Sequence, residues 1–157
     1  MLKIKSNHSI TLSIILSVLF FVGCGVGVFY LPTLTEILID VSDNIGNRGE
    51  ITEGGRIFVL CLAYGILAIL ILANSLLFSL LLRVRAGLVF TEKSVALIRG
   101  VAWCCLLLGI VFGLLGIYFQ LSFIVAFAAI FLGICLRVVK NVIEEATEIK
   151  SENDLTV

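Results

Sequence analysis

Three long stretches of the 157-residue chain contain no Asp, Glu, Lys or Arg, and they constrain the fold more than any other feature. They cover residues 6–35, 57–82 and 100–136. A single helix over the last stretch would reach ~55 Å, whereas the hydrocarbon core of a bilayer is only about 30 Å thick. The last stretch must therefore form a hairpin, and the chain is predicted to cross a membrane four times.

The composition supports a membrane protein. Hydrophobic residues make up 61% of the chain and charged residues 14%, and the mean hydropathy is +1.21. A soluble domain of 17.1 kDa has too little interior to bury so much apolar surface. We therefore predict an all-α polytopic membrane protein, a four-transmembrane-helix bundle. The predicted spans cover about 9–30, 57–82, 100–119 and 123–139.

Basic residues flank the apolar stretches unevenly. Only Arg48 and Arg56 lie on one predicted side of the membrane, and all the others lie on the opposite side. Because cytoplasmic loops carry the excess of Lys and Arg, both termini and the 83–99 loop are predicted to be cytoplasmic, and the 31–55 loop faces outward. The cytoplasmic set is Lys3, Lys5, Arg83, Arg85, Lys93, Arg99, Arg137, Lys140 and Lys150.

The first apolar segment has an alternative interpretation. Lys3 and Lys5 precede an apolar run that reaches Gly23-Cys24, an order also found in lipoprotein signal peptides. Phe21 stands three residues before Cys24, where such signals usually have Leu, and the apolar run continues to Leu31. A retained first span is therefore the preferred interpretation.

A separate helix is predicted between the first two spans. Pro32 is expected to end span one, and Thr33 to Glu36 has the Ser/Thr-x-x-Glu pattern of a capping box. Apolar residues then recur at helical spacing, and Gly46 is a suitable helix stop. The sequence predicts an outer amphipathic helix over about 34–45, lying on the membrane surface or at the mouth of the bundle.

Small and polar residues within the spans predict helix packing. Gly23 and Gly27 allow close approach of a neighbouring backbone, and Gly109 and Gly113 form a small-xxx-small pair. The pair does not distinguish a contact within the chain from a homo-oligomer. Asn74 should face another helix and hydrogen-bond across the contact, because an unpaired amide is costly in lipid.

The cytoplasmic side carries most of the charge. Thr91 is predicted to cap span three, with Glu92 in its first turn. Apolar spacing after Val139 predicts that span four continues as a cytoplasmic helix to about residue 149, within a tail of 140–157. The outward face of this helix is acidic, so it either neutralises the basic loop or forms a docking surface for a partner.

The spans lack the residues that most membrane chemistry needs. No Asp, Glu, Lys or His lies in them, which disfavours a proton-coupled carrier or a charged-ring channel. We expect no enzymatic activity, metal or cofactor, since no nucleophile–base or ligand cluster is visible. The cysteines behave as small apolar residues. A redox or metal role for Cys104, Cys105 and Cys135 is the alternative.

Two segments carry a family resemblance. Gly87 to Arg99 (Gly-Leu-Val-Phe-Thr-Glu-Lys-Ser-Val-Ala-Leu-Ile-Arg) resembles the inner loop of the bacterial domain-of-unknown-function family 2975, although Ser94 stands where Asn is common. The ending from Ile149 to Val157 resembles that family's Glu-Asn-Asp-Leu-Thr-aliphatic terminus. The resemblance implies a bacterial cytoplasmic membrane protein whose partner is a small helix-turn-helix regulator.

The leading functional hypothesis is a non-enzymatic membrane partner or anchor of such a regulator, without direct binding to nucleic acid. An acidic tail can attract a basic DNA-binding domain, and the 153–157 end could add to a sheet edge or enter a pocket. The alternative is a transport or immunity component that meets a hydrophobic peptide or lipid. The predicted partner-binding residues are Glu144, Glu145, Glu148, Glu152, Asn153, Asp154, Leu155, Thr156, Arg83, Arg85, Phe90 and Arg99.

Overall fold

The computed structural model is all-α. It describes residues 2–45 and 51–155, and within them the side chains of residues 9–42, 51–150 and 152. The helices are α1 (Leu2–Ile45), α2 (Glu53–Arg85), α3 (Glu92–Leu115) and α4 (Ser122–Leu155). Each contains a segment long and apolar enough to cross a membrane. The predicted four-span, multi-pass architecture is thereby confirmed.

Capping threonines determine where two of the helices begin. The Thr52 side chain accepts a hydrogen bond from the Gly55 N–H at 3.4 Å at the start of α2. At the start of α3, the Thr91 side chain accepts from the Ser94 N–H at 3.3 Å, and Glu92 follows in the first turn. Each cap satisfies an N–H that has no partner within its helix. The predicted cap at Thr91, with Glu92 in the first turn of the helix, is confirmed.

The four helices form an open row in chain order. α1 contacts α2, α2 contacts α3, and α3 contacts α4, and in the described part of the chain no other helix pair is in contact. Successive helices are antiparallel. The row therefore has a near end, which carries the 86–91 loop and the end of α4, and a far end, which carries the 116–121 turn.

The prediction that the first helix ends at Pro32 is wrong. The residues assigned to a separate outer helix are its last turns, since α1 continues through Pro32 to Ile45. Proline has no N–H to donate to the carbonyl four residues earlier, here that of Val28. The Tyr64 hydroxyl of α2 donates to the Val28 oxygen at 3.4 Å, so a neighbouring helix supplies a donor. The expected stop, Gly46, lies outside the described residues.

A reciprocal pair of hydrogen bonds joins α1 to α2. The Ser17 hydroxyl donates to Asn74 Oδ1 at 2.9 Å, and Asn74 Nδ2 donates to the Ser17 carbonyl oxygen at 3.0 Å. Both residues are buried. Phe21 and Phe78 each lie one turn further along their own helix, and their rings meet edge to face with centroids 6.3 Å apart. Asn74 therefore hydrogen-bonds across the α1–α2 contact, as expected because an unpaired amide is costly in lipid.

The 100–136 stretch forms the predicted hairpin. α3 ends at Leu115 and α4 begins at Ser122, so the chain reverses within 116–121. Gly109 lies at a close approach of the two helices, because a Cβ built there would overlap Ile130 and lie 3.2 Å from the Ala126 carbonyl oxygen. The missing side chain at Gly109 thus permits this approach.

The other predicted packing glycines are placed differently. A Cβ at Gly27 would be in ordinary contact with Leu67, at 3.8 Å. At Gly23 and Gly113 it would meet nothing within 4 Å, so neither glycine marks a close approach between helices of this chain. For Gly113 the contact with a second copy, which the sequence left open, stays a prediction. Small-residue spacing identifies a face of a helix but does not specify whether another helix covers that face.

α4 is longer than a membrane crossing requires. Its 34 residues span ~51 Å, against a hydrocarbon core of about 30 Å. The part from 140 to 155, the α4 extension, accounts for ~24 Å of this length. The predicted continuation of span four beyond Val139 is confirmed, and it reaches Leu155 rather than stopping near residue 149.

Candidate functional site

The 86–91 loop begins with a turn that requires glycine. Gly87 has φ +78°, in the left-handed region. Its N–H donates to the Val84 oxygen at 3.1 Å, and the Leu88 N–H donates to the Arg83 oxygen at 3.0 Å. This pair of bonds is a Schellman motif, which glycine forms without steric strain. The end of α2 and the direction in which the loop leaves it are thereby fixed.

Ser94 fixes the end of the 86–91 loop that leads into α3. Its side chain is fully buried, and its hydroxyl donates to the Leu88 carbonyl oxygen at 2.8 Å. The Thr91 and Ser94 hydroxyl oxygens are 2.9 Å apart and share a further hydrogen bond. The Ser94 side chain thus ties the loop to the first turn of α3.

The first turns of α3 pack against α4 at the near end. Val95, Ile98 and Ala102 are buried and form the apolar part of this region. The Arg99 guanidinium lies 3.3 Å from Glu144 Oε1, between α3 and the α4 extension. Apolar packing and an ion pair therefore hold the start of α3 beside the α4 extension.

Glu144 has two basic partners. Lys140, one helical turn earlier on α4, forms an ion pair with its second carboxylate oxygen. The hydrogen bond from Lys140 lowers the pKa of Glu144 below its ordinary value, and the charges of Lys140 and Arg99 add to this effect. The carboxylate is exposed, so each pair is a weak contribution to stability. Glu144 is ionised at neutral pH.

A groove lies between the start of α3 and the α4 extension. It has a volume of about 340 Å³. Three glutamates and one arginine line it, together with an aliphatic side chain and a hydroxyl, so the groove carries net negative charge. We call it the acidic groove. Its lining residues are Glu92, Val95, Arg99, Glu144, Thr147 and Glu148.

A second cavity adjoins the acidic groove and shares Arg99 with it. This basic cavity has a volume of about 270 Å³. It lies closer to the apolar spans, and the Arg137 guanidinium stands 5.3 Å from the centre of the Trp103 ring in a cation–π contact. Its lining residues are Arg99, Trp103, Arg137, Lys140 and Asn141.

The structure brings together some of the predicted partner-binding residues. Glu144, Glu148 and Arg99 line the acidic groove. Glu145 and Glu152 are exposed on the α4 extension, whereas Arg83, Arg85 and Phe90 lie at the end of α2 and in the loop. The side chains of Asn153, Asp154 and Leu155, and residue Thr156 as a whole, lie outside the described residues.

Sequence reasoning missed several residues of this region. The ion pair between Lys140 and Glu144 could have been predicted, because residues four apart on a helix are neighbours and opposite charges there attract. Thr147 and Val95 fall on the groove only because of how α3 crosses α4. Nothing in the sequence pairs Trp103 with Arg137, because their contact depends on which faces of α3 and α4 meet.

The cysteines do not form a cluster of metal ligands. All five carry free thiols, and Cys24 and Cys104 are buried. Across residues 9–42, 51–150 and 152, no group of three His, Cys, Asp or Glu side chains is arranged to hold a metal ion. The alternative role for Cys104, Cys105 and Cys135 gains no support from their placement.

One comparison with known proteins gives a match. A family model described as a protein of unknown function (DUF2975) matches residues 9–157. The match covers α1 from residue 9 onward, the whole of α2, α3 and α4, and both segments that carry the resemblance. No curated protein and no solved structure matches the chain.

Proposed function

The chain belongs to the DUF2975 family, and we propose that it is a non-enzymatic membrane protein that docks a small cytoplasmic helix-turn-helix transcription regulator. The docking surface in this proposal is the acidic groove together with the α4 extension. The observation that carries the proposal is the groove itself, which two helices form beyond the apolar part of the spans.

The position of the groove suits a water-soluble partner. The α4 extension continues ~24 Å past the end of the apolar span, and the first turns of α3 lie beside it. Two helices held by an ion pair and by buried Val95 and Ile98 form a more rigid surface than a single protruding helix. A partner that docks there does not have to order the surface first.

The charge of the groove suits a DNA-binding partner. Glu92, Glu144 and Glu148 contribute carboxylates, and the hydrogen bond from Lys140 lowers the pKa of Glu144. Helix-turn-helix domains are basic where they contact DNA phosphates. An acidic surface on a membrane protein can therefore attract such a domain in competition with DNA and hold the regulator at the membrane.

The distribution of basic residues supports a cytoplasmic near end. Lys93, Arg99 and Arg137 lie at this end, along with the two arginines that finish α2. The far end of the row carries Arg56. By the positive-inside bias the near end faces the cytoplasm, where a transcription regulator is found.

Co-purification tests the proposal. The proposal predicts that a neighbouring gene encodes a short helix-turn-helix protein and that the full chain, solubilised in detergent, retains that protein. Glu148→Lys places a positive charge in the groove and should reduce retention at least tenfold. Glu36→Lys makes the same charge change on the far half of α1 and should leave retention unchanged. Equal retention by wild type and Glu148→Lys would reject the groove as the docking surface.

A truncation provides a second test. Removing residues 144–157 should abolish retention of the regulator, and the shortened chain should still fractionate with membranes because the four apolar segments are intact. If the truncated protein inserts and still binds the regulator, the α4 extension is not the docking element.

A second candidate function rests on the end of α1. Leu34, Ile37 and Leu38 are exposed there, while Thr35 and Ile39 on the same turns are buried. This exposed apolar surface could meet a hydrophobic peptide or lipid in a transport or immunity component. Under that function Ile37→Asp changes sensitivity to a membrane-active peptide and the truncation does not, whereas the docking function predicts the reverse.

A further inference from the structure

The proposed docking function does not require the positive charge that lines the basic cavity. Two arginines and a lysine line it, with one tryptophan and one asparagine, and no acidic side chain is among the lining residues. Glu144 pairs with Arg99 and Lys140 from the neighbouring groove. Among the described side chains, no carboxylate forms an ion pair with Arg137. The cavity therefore keeps excess positive charge.

The cavity lies where the apolar spans end. Arg99 precedes the charge-free 100–136 stretch and Arg137 follows it, so both guanidiniums stand at the boundary of the predicted hydrocarbon core. Trp103 lies one helical turn further into the span, at the depth of headgroups and glycerol that tryptophan prefers. A ligand of this cavity would be reached from the membrane interface.

Apolar side chains continue from the cavity toward the membrane interior. Leu107 follows Trp103 on the same face of α3, and Ile134 precedes Arg137 on the same face of α4. Both are about half exposed. The surface thus changes from cationic to aromatic to aliphatic with depth, which is the order of groups along a phospholipid molecule.

The contact between Arg137 and Trp103 leaves the arginine suited to a phosphate. The guanidinium carbon of Arg137 lies over the Trp103 ring, 5.3 Å from its centroid, and a guanidinium carries a fork of N–H donors that match phosphate oxygens in pairs. Lys140 adds a second positive charge, and Asn141 adds an amide that donates hydrogen bonds. Basic pockets between spans on the cytoplasmic side bind anionic lipid headgroups in the same way.

We propose that the basic cavity is a binding site for the headgroup phosphate of an anionic phospholipid in the cytoplasmic leaflet. Arg137 is the principal phosphate ligand, Lys140 and Asn141 complete the polar contacts, and Trp103 packs at the level of the glycerol. The acyl chains lie along Leu107 and Ile134. This site is independent of the regulator and would operate whether or not the acidic groove docks one.

The single tryptophan of the chain makes the test direct. Trp103 is the only tryptophan, so its fluorescence reports on the cavity alone. The full chain is reconstituted in phosphatidylcholine vesicles that contain a small fraction of brominated lipid, which quenches tryptophan on contact. Both lipids carry a phosphate, but phosphatidylcholine adds a choline cation that Arg137 and Lys140 repel. Brominated phosphatidylglycerol should therefore quench Trp103 with about tenfold higher relative affinity than brominated phosphatidylcholine.

Two variants assign the preference to the cavity. Arg137→Gln should bring the relative affinity for phosphatidylglycerol close to that for phosphatidylcholine, with quenching referred to each variant's own unquenched signal. Arg85→Gln removes the same charge from the exposed end of α2 and should keep the tenfold preference. If Arg137→Gln does not insert, Lys140→Gln serves in its place and should lower the preference severalfold.

Three results would overturn the proposal. Equal quenching of wild type by the two brominated lipids shows no headgroup selectivity. An equal loss of preference in Arg85→Gln and Arg137→Gln shows a general surface-charge effect instead of a site. Displacement of brominated phosphatidylglycerol by millimolar inorganic phosphate as effectively as by unlabelled phosphatidylglycerol shows that the cavity takes free phosphate and not a lipid.

Discussion

Arg99 and Glu144 are 45 residues apart in the sequence, yet their side chains meet at 3.3 Å. The pair joins the start of α3 to the α4 extension. Arg99 also lines both the acidic groove and the basic cavity, so the contact stands between two surfaces of opposite charge. The proposed docking surface and the proposed lipid site therefore share one structural element.

The Glu144 contacts predict a specific pH dependence. Lys140, then Arg99, lowers the pKa of Glu144, so the folded state favours the charged carboxylate. Its contribution to stability is fully present above the ordinary pKa of glutamate, declines as the pH falls below that value, and is gone once the pH has fallen through the lowered value. The difference in Tm between wild type and Glu144→Gln should therefore be largest near neutral pH, shrink where an ordinary glutamate protonates, and disappear only in stronger acid.

Thermal unfolding in detergent from neutral to acid pH measures this difference. Glu145→Gln removes a neighbouring carboxylate and serves as the control, with a smaller change in Tm. A difference between wild type and Glu144→Gln that is already absent in mild acid would contradict the assigned ion pairs.

The Ser17–Asn74 pair predicts unequal effects of its two partners. Asn74→Ala removes both hydrogen bonds and should lower the free energy of unfolding by about 0.6–2 kcal/mol. Ser17→Ala removes one bond only, because Asn74 Nδ2 donates to the Ser17 backbone oxygen, and should cost less. Ser75→Ala is the control, since that hydroxyl donates to Ile71 within α2. Detergent unfolding titrations give the three values, and a larger loss from Ser75→Ala would refute the assignment.

The continuation of α1 through Pro32 predicts a coupling between Pro32 and Tyr64. Tyr64→Phe removes the side-chain donor to the Val28 oxygen and should cost about 0.5–1.5 kcal/mol. In a Pro32→Ala background, the N–H of residue 32 can donate to the same oxygen, so Tyr64→Phe should then cost close to nothing. A double-mutant cycle of unfolding free energies measures the coupling. Equal costs in the two backgrounds would show that the hydroxyl does not compensate for the proline.

Alanine substitutions at Gly109 and Gly113, the two glycines of the small-xxx-small pair, are expected to have opposite effects on stability. Gly109→Ala forces a methyl group against Ile130 and the Ala126 backbone, and should destabilise the α3–α4 hairpin by about 1–3 kcal/mol. Gly113→Ala meets nothing within 4 Å and should be neutral or slightly stabilising, because alanine favours a helix. Unfolding titrations of both variants in dilute detergent compare them. A destabilised Gly113→Ala would instead indicate a contact with a second copy of the chain.

Much of the fold follows from the distribution of charge along the chain. Charge-free stretches located the spans because a charged side chain is costly in lipid, and the length of 100–136 required the hairpin that the structure contains. The Thr91 cap and the partner of Asn74 in another helix were also foreseeable, since each rests on an unsatisfied polar group in a known place.

Features that depend on neighbouring helices could not be read from the sequence. Pro32 signals a helix end unless another helix supplies a donor, and the sequence does not show that Tyr64 reaches Val28. Gly109 and Gly113 look alike in sequence, but only the first lies against α4. The open row and the basic cavity likewise depend on which helix faces pair.

The docked regulator and the inner-leaflet lipid both require that the near end of the row faces the cytoplasm. Paired reporter fusions measure this sidedness most directly. A fluorescent protein fused at Gly87 or Glu152 should fluoresce, and alkaline phosphatase fused at either position should be inactive. At Thr52 the fluorescent protein should be dark and the phosphatase active. Active phosphatase at Glu152 would place the α4 extension outside the cell and contradict the account.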